Sequence, residues 1–226
     1  VSIEEELRRT IPVIERLAKA TSLPISIDTS KPEVMRAAVL AGAGMINDVY
    51  GLRREGALDA AAQLGVPVVL MHMQGEPRSM QHSPQYDDVV AQVHRFLAER
   101  IFAAEMAGIA KKKIVVDPGF GFGKDTQHNL MLLAQLDRFA ALGVPVLAGL
   151  SRKRTLGEIT GRDEPRERVS GSVAAHLIAA QGGAKIVRGP DLPATVDALK
   201  VWNAVATQTM PRAKDAPSMP KWPDDE

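Results

Sequence analysis

Pro24-Ile25-Ser26-Ile27-Asp28-Thr29-Ser30-Lys31-Pro32 runs from a short apolar stretch into a polar turn and ends on a proline suited to the first turn of a helix. The pattern is strand, polar loop, helix. It recurs where Gly44-Met45-Ile46 leads into Asn47-Asp48, and where Ile114-Val115-Val116 leads into Asp117-Pro118-Gly119-Phe120-Gly121-Phe122-Gly123-Lys124. A fourth case is Val144-Pro145-Val146-Leu147-Ala148 followed by Gly149-Leu150-Ser151-Arg152-Lys153. Units of this kind build parallel βα crossovers, with every strand C-terminus on one face. Four polar clusters far apart in sequence therefore meet in one pocket.

Working outward, Val66-Pro67-Val68-Val69-Leu70-Met71 and Ala184-Lys185-Ile186-Val187 complete a set of six expected strands. Helices are expected from the start of the chain, then to about 41, at about 56–64, from 89, at 127–141, near 169–181 and at 192–207. The first helix opens with Ser2 and Glu5 at capping-box spacing, and Glu4 to Glu6 suit its dipole. No strand precedes it. Closure of a (β/α)₈ barrel needs eight strands. The expected fold is thus a TIM barrel of α/β class, here six βα units with the first two strands absent. An open six-stranded sheet is the other solution to the count. The barrel domain is expected over residues 1–209, and the Pro-rich, charged residues 210–226 are expected to be a disordered tail. The polar connection from Gln74 to about Asp87 is long enough to suggest function or mobility.

Composition narrows the function classes. Across 226 residues the net charge is +1 and aromatics are 4%, which argues against a nucleic-acid partner read through phosphates or stacked bases. Cysteine is absent, so thiolate nucleophiles and Cys-based zinc sites are excluded. No apolar run is long enough to span a bilayer, and a cytoplasmic enzyme of small molecules is expected, with no membrane partner. The histidines show no His-Glu-x-x-His spacing, and no Gly-x-Ser-x-Gly elbow occurs. No metal ligand is therefore assigned.

Each polar cluster has a plain reading beside its functional one. Asp28 could cap the next helix, yet Thr29 and Ser30 stand nearer to Pro32 and are better caps. Asn47-Asp48 is compatible with a simple turn. In Asp117-Pro118-Gly119, proline fixes the strand exit and the glycines permit close backbone approach to a ligand. The run to Lys124 fits neither the P-loop register nor the dinucleotide pattern. Ser151-Arg152-Lys153-Arg154 places cations before a helix's first turn, where the dipole disfavours them unless an anion or ring carbonyl is present. Arg188 follows the last strand in the same way. His72 lies between Met71 and Met73, which suit an adaptable wall against a flat ring, while His72 itself is read as structural.

These motifs, in this order, resemble the dihydropteroate synthase family, folate-pathway enzymes that sulfonamide drugs target. The resemblance runs from residue 1 to about 205, and Leu70-Met71-His72-Met73-Gln74-Gly75 belongs to it as well. It implies a (β/α)₈ barrel that joins (7,8-dihydropterin-6-yl)methyl diphosphate to 4-aminobenzoate, giving 7,8-dihydropteroate and diphosphate. By resemblance, Asp28, Asn47, Met71, Asp117, Phe122, Gly149 and Lys153 hold the pterin, with both oxygens of Asp117 on its N–H edge. Ser151 lies toward 4-aminobenzoate, Arg188 meets the diphosphate, and Lys153 and Arg188 are the catalytic cations. Mg²⁺ is implied, carried mainly on the substrate diphosphate, as are sulfonamide inhibitors and a homodimer. The family usually reads Arg-x-His after the last strand, where this chain reads Arg188-Gly189-Pro190. A non-catalytic pterin-binding relative and a methyltetrahydrofolate-binding methyltransferase domain are the alternatives.

Overall fold

The computed structural model describes residues 1–76, 80 and 84–209. The expected disordered tail and part of the long connection after Gln74 lie outside the described residues. In chain order the elements are α1 (Ile3–Ala20), β1 (Ser26–Asp28), α2 (Pro32–Leu40), β2 (Met45–Asp48), α3 (Ala57–Leu64), β3 (Val68–Met71) and α4 (Val89–Met106). Then come β4 (Ile114–Asp117), α5 (Thr126–Ala134), β5 (Leu147–Ala148), α6 (Arg154–Thr160), α7 (Val169–Gln181), β6 (Ile186–Val187) and α8 (Leu192–Thr207).

Strands β1 to β4 form one parallel sheet in sequence order, and β5 pairs with β6 in a second. A parallel bridge between Val116 and Val146 joins the two. The break has a local cause. Pro145 has no N–H to donate, so contact with β4 reduces to Val116 N–H on the Pro145 carbonyl at 3.0 Å. Pro67 acts likewise ahead of β3, where its carbonyl accepts from Ile46 N–H at 3.0 Å. The strands therefore start later than their apolar runs suggest. The single helix expected over 127–141 is also divided, into α5 and a 3₁₀ stretch Leu136–Leu142.

Alternation along the strands separates two layers. Ile27, Ile46, Leu70, Val116 and Ala148 face outward into the main core, which the helices cover. Val69, Val115 and Leu147, packed with Met45 and Ile186, form a smaller inner cluster, one residue from each of five neighbouring strands. This is a layer of a barrel interior. Full burial of a side chain such as Val69 is worth roughly 1.5–3 kcal/mol, so this small layer is a firm floor. The positions two residues further along face the same side. From β2 to β6 these are Asn47, Met71, Asp117, Gly149 and Arg188, and Asp28 ends β1 at the same level. The parity of the strands delivers the site. Among the described residues no helix is long and apolar enough to cross a membrane.

Candidate functional site at the strand C-termini

Asp117 is the centre of the cluster. Its Oδ1 accepts the Gly119 N–H at 2.8 Å, and its Oδ2 accepts from Arg188 Nη2 at 2.9 Å. Arg188 Nη1 donates to Asn47 Oδ1 at 3.0 Å. The guanidinium thus bridges two acceptors from different strands. Burial pushes the Asp117 carboxyl above the usual carboxylate range, opposed by Arg188 and by the Gly119 N–H. Asn47 Nδ2 is buried with no hydrogen-bond partner of normal geometry among the described residues. The amide still lies near enough to Asp28 to favour its charged form. Asp28 is open to solvent at the pocket edge, yet the surrounding protein is close enough to raise its proton affinity, and the Asp117 charge raises it further.

The glycine loop after β4 lies directly on the backbone leaving β3. Gly119 adopts φ +70°, and a Cβ there would overlap the His72 carbonyl oxygen. Lys124 pins the loop from beneath. Its Nζ donates to the carbonyls of Gly119 at 3.0 Å and Phe122 at 3.1 Å, and meets His72 Nδ1 at 2.9 Å. Burial, aided by the Lys153 charge, pushes Lys124 down to about 7, while Asp117 opposes this. His72 is buried beside it and is held far below its usual range, first by burial and then by the Lys124 charge. The structural reading of His72 holds. Above this base, Phe122 packs with the buried Met71, Met73 and Tyr50. Lys153 Nζ stands 4.3 Å from the Phe122 ring centroid, a cation–π contact at the pocket wall. Burial lowers the proton affinity of Lys153, and Asp117 partly restores it.

Of the cations after β5, one faces the pocket. Arg152 has a left-handed φ of +57° and turns away to Asp191, with Nη2 to Oδ1 at 2.5 Å and Nε to Oδ2 at 3.0 Å. Its N–H donates to Ser172 Oγ at 2.9 Å and its carbonyl accepts from Arg168 at 2.9 Å. Arg154 pairs with Glu158 at 2.6 Å. That leaves Lys153 at the Phe122 ring, and the expectation of a three-cation anion site narrows to Lys153 with Arg188. Ser151 sits against Gly189, where a Cβ would come within 2.7 Å of the Ser151 Cβ. Gly149 gives Arg188 its room, since a Cβ there would lie 3.0 Å from Nη2.

Two supporting residues, Asn129 and Asp191, went unread in the sequence, and a third, Lys124, was named there without a role. Asn129, buried on α5, accepts the Gly121 N–H at 2.8 Å and donates to Thr155 Oγ1 at 3.1 Å, tying the two loops together. Asp191 anchors Arg152, and Lys124 is a buried staple, not a surface charge. A lysine within a glycine-rich turn was the available signal for Lys124. Asp48 is the plain turn residue of its pair, accepting N–H groups of Tyr50 at 2.9 Å and Leu52 at 2.8 Å.

The chain matches the family model described as pterin binding enzyme over residues 1–189. It is 52% identical over 204 residues to the dihydropteroate synthase of Escherichia coli, spanning 90% of this chain and 72% of that protein. The chain belongs to the dihydropteroate synthase family. A crystal structure of the Stenotrophomonas maltophilia dihydropteroate synthase, with imidazole in its active site, superposes with a TM-score of 0.89 at 70% identity, covering 96% of this chain and 79% of that one. The Xanthomonas albilineans dihydropteroate synthase in complex with 7,8-dihydropteroate gives 0.87 at 67% identity, covering 93% and 77%. Dihydropteroate synthases are transferases, and the parallel strands described above form part of their barrel. The expected family and fold are borne out.

Proposed function

We propose that this chain's strand-end pocket binds a dihydropterin diphosphate and couples it to 4-aminobenzoate, the reaction of its family. The observation that carries the reading is the convergence of Asp117 Oδ2 and Asn47 Oδ1 on one N–C–N fork, that of Arg188. A pterin's 2-amino and ring N–H groups present a donor edge of the same shape. Gly119 N–H holds Asp117 Oδ1, which keeps a second lone pair, so Asn47 Oδ1 can join the two Asp117 oxygens as an acceptor of that edge. Asp28 offers a further acceptor on the open side. Met71 and Phe122 supply the flat walls, and Lys153 donates to the ring carbonyl or a ring nitrogen. Gly149 leaves room beside them.

In the reaction, the amine lone pair of 4-aminobenzoate forms a C–N bond at the pterin methyl carbon. The C–O bond breaks, its electron pair leaves on the diphosphate, and the amine proton passes to solvent. Arg188 and Lys153 are the cations that stabilise the growing negative charge. Ser151 borders the aminobenzoate side, and sulfonamides, which share the aniline of that substrate, would compete there. Among the described residues no three His, Asp or Glu side chains gather as a metal site. Magnesium would enter on the substrate diphosphate, whose charge it offsets.

The test is diphosphate release measured with and without 4-aminobenzoate. Aminobenzoate-dependent release supports a synthase. Pterin binding with no release under either condition supports a binding module instead.

A further inference from the structure

Arg188 holds positions that a ligand needs. Its guanidinium bonds to Asp117 Oδ2 at 2.9 Å and Asn47 Oδ1 at 3.0 Å, the two acceptors assigned above to the pterin edge. Both acceptors are buried, Asp117 to 1% exposure and Asn47 to 3%. The Arg188 side chain is 44% exposed, so it reaches the buried pair from solvent and can leave without disturbing the core. Gly149 provides the clearance for this pose. A ligand that takes the fork position must first displace this guanidinium.

Displacement leaves a cation without a partner. Arg152 is paired with Asp191 and is not free to compensate, while Lys153 is a second cation whose proton affinity the Arg188 charge lowers. A bare pterin offers its ring acceptors to Lys153 and leaves the displaced Arg188 without an anion. A pterin with a diphosphate brings an anion to this cationic edge.

We propose that Arg188 is a specificity-determining residue that occupies the empty pterin pocket with its own guanidinium and yields it readily only to a ligand carrying an anion that accepts the displaced cation. The proposal rests on the pterin reading above. It makes pterin and anion binding positively coupled, and linkage requires the coupling to be reciprocal. Arg188 thereby discriminates the diphosphate ester from the unactivated hydroxymethylpterin, a ligand that fits the same slot but cannot react.

The experiment is calorimetric titration of 6-hydroxymethylpterin into the full chain, with and without inorganic pyrophosphate. Pyrophosphate should tighten pterin binding about tenfold, and pterin should tighten pyrophosphate by the same factor. In a folded Arg188→Ala variant, pterin without pyrophosphate should bind at least as tightly as in the wild type, and the coupling should vanish. Pterin binding that is indifferent to pyrophosphate in the wild-type protein overturns the proposal by itself, whatever the variant does. Weaker pterin binding in folded Arg188→Ala would equally sink it, since Arg188 would then be an attractive contact. No pterin binding in any arm would remove the pterin reading and this inference together.

Discussion

Replacing Asp117 by Asn tests the centre of the pocket with one atom. The amide oxygen can keep the Gly119 N–H that now bonds Oδ1 at 2.8 Å. Its NH₂ then stands where Oδ2 accepts from Arg188 at 2.9 Å, so an acceptor becomes a donor facing donors. A hydrogen bond to a charged group is worth roughly 1.5–3 kcal/mol, which corresponds to about ten- to a hundredfold in Kd. Part of the wild-type bond is offset by displacing Arg188, so the loss should fall near the lower bound, about tenfold. Calorimetry with 6-hydroxymethylpterin measures it, and thermal melts control for folding. The melts carry their own sign. Burial raises the folded Asp117 above its unfolded value, so its stabilising contribution is full when protonated and is lost as pH rises through the folded value. Asn has no such dependence, and the variant's melting temperature relative to wild type should rise as the pH climbs above the ordinary carboxylate range toward the raised folded value. Unchanged pterin affinity in a folded Asp117→Asn protein would refute the assignment of Oδ2 to the ligand edge.

Lys124 is lowered to about 7 from an ordinary 10.5, so between these values the unfolded chain binds a proton that the native state has released. Stability should therefore climb with pH through that window, by up to about 1.4 kcal/mol per unit, and Lys124→Met should flatten the slope in urea unfolding at pH 7 to 9. An identical slope in both proteins would show that Lys124 keeps its charge in the fold. Gly119→Ala must bear the left-handed φ of +70° and an overlap with the His72 carbonyl. The first cost alone is about 1–2 kcal/mol, so a melting-temperature drop of at least about 2 °C is expected; a smaller drop would mean that the loop can move off the β3 exit.

Much of this architecture was legible because strand ends and loops carry strong local signals. Pro32, the glycines after Pro118 and the β-branched runs all act within a few residues. The strand starts were less legible, because the apolar runs through Pro67 and Pro145 read as continuous while the missing N–H breaks the ladder there. Residues 127–141 keep helical spacing throughout, yet Gln135 leaves the α conformation at φ −118°, ψ 30°. The members of the pocket were named from four motifs. Their pairings were not, since Arg188 and Asn47 are 141 residues apart and meet only through the strand parity that sets both above the Val69–Val115–Leu147 layer. Arg152 and Lys153, adjacent and of like charge, point to different partners because Asp191 and Ser172 fix the turn. No local rule distinguishes them.

The central claim is that Asp117 and Asn47 read a guanidine-like edge. The most direct measurement is a comparison of 6-hydroxymethylpterin with the corresponding lumazine, in which the 2-amino group is replaced by an oxo group, titrated into the same wild-type protein in the presence of pyrophosphate. The oxo analogue turns one donor of the edge into an acceptor facing buried oxygens. A site built to hydrogen-bond such a donor rejects an analogue that lacks it by a large factor, and a loss of at least about a hundredfold is predicted. Equal affinity for the two ligands would contradict the account.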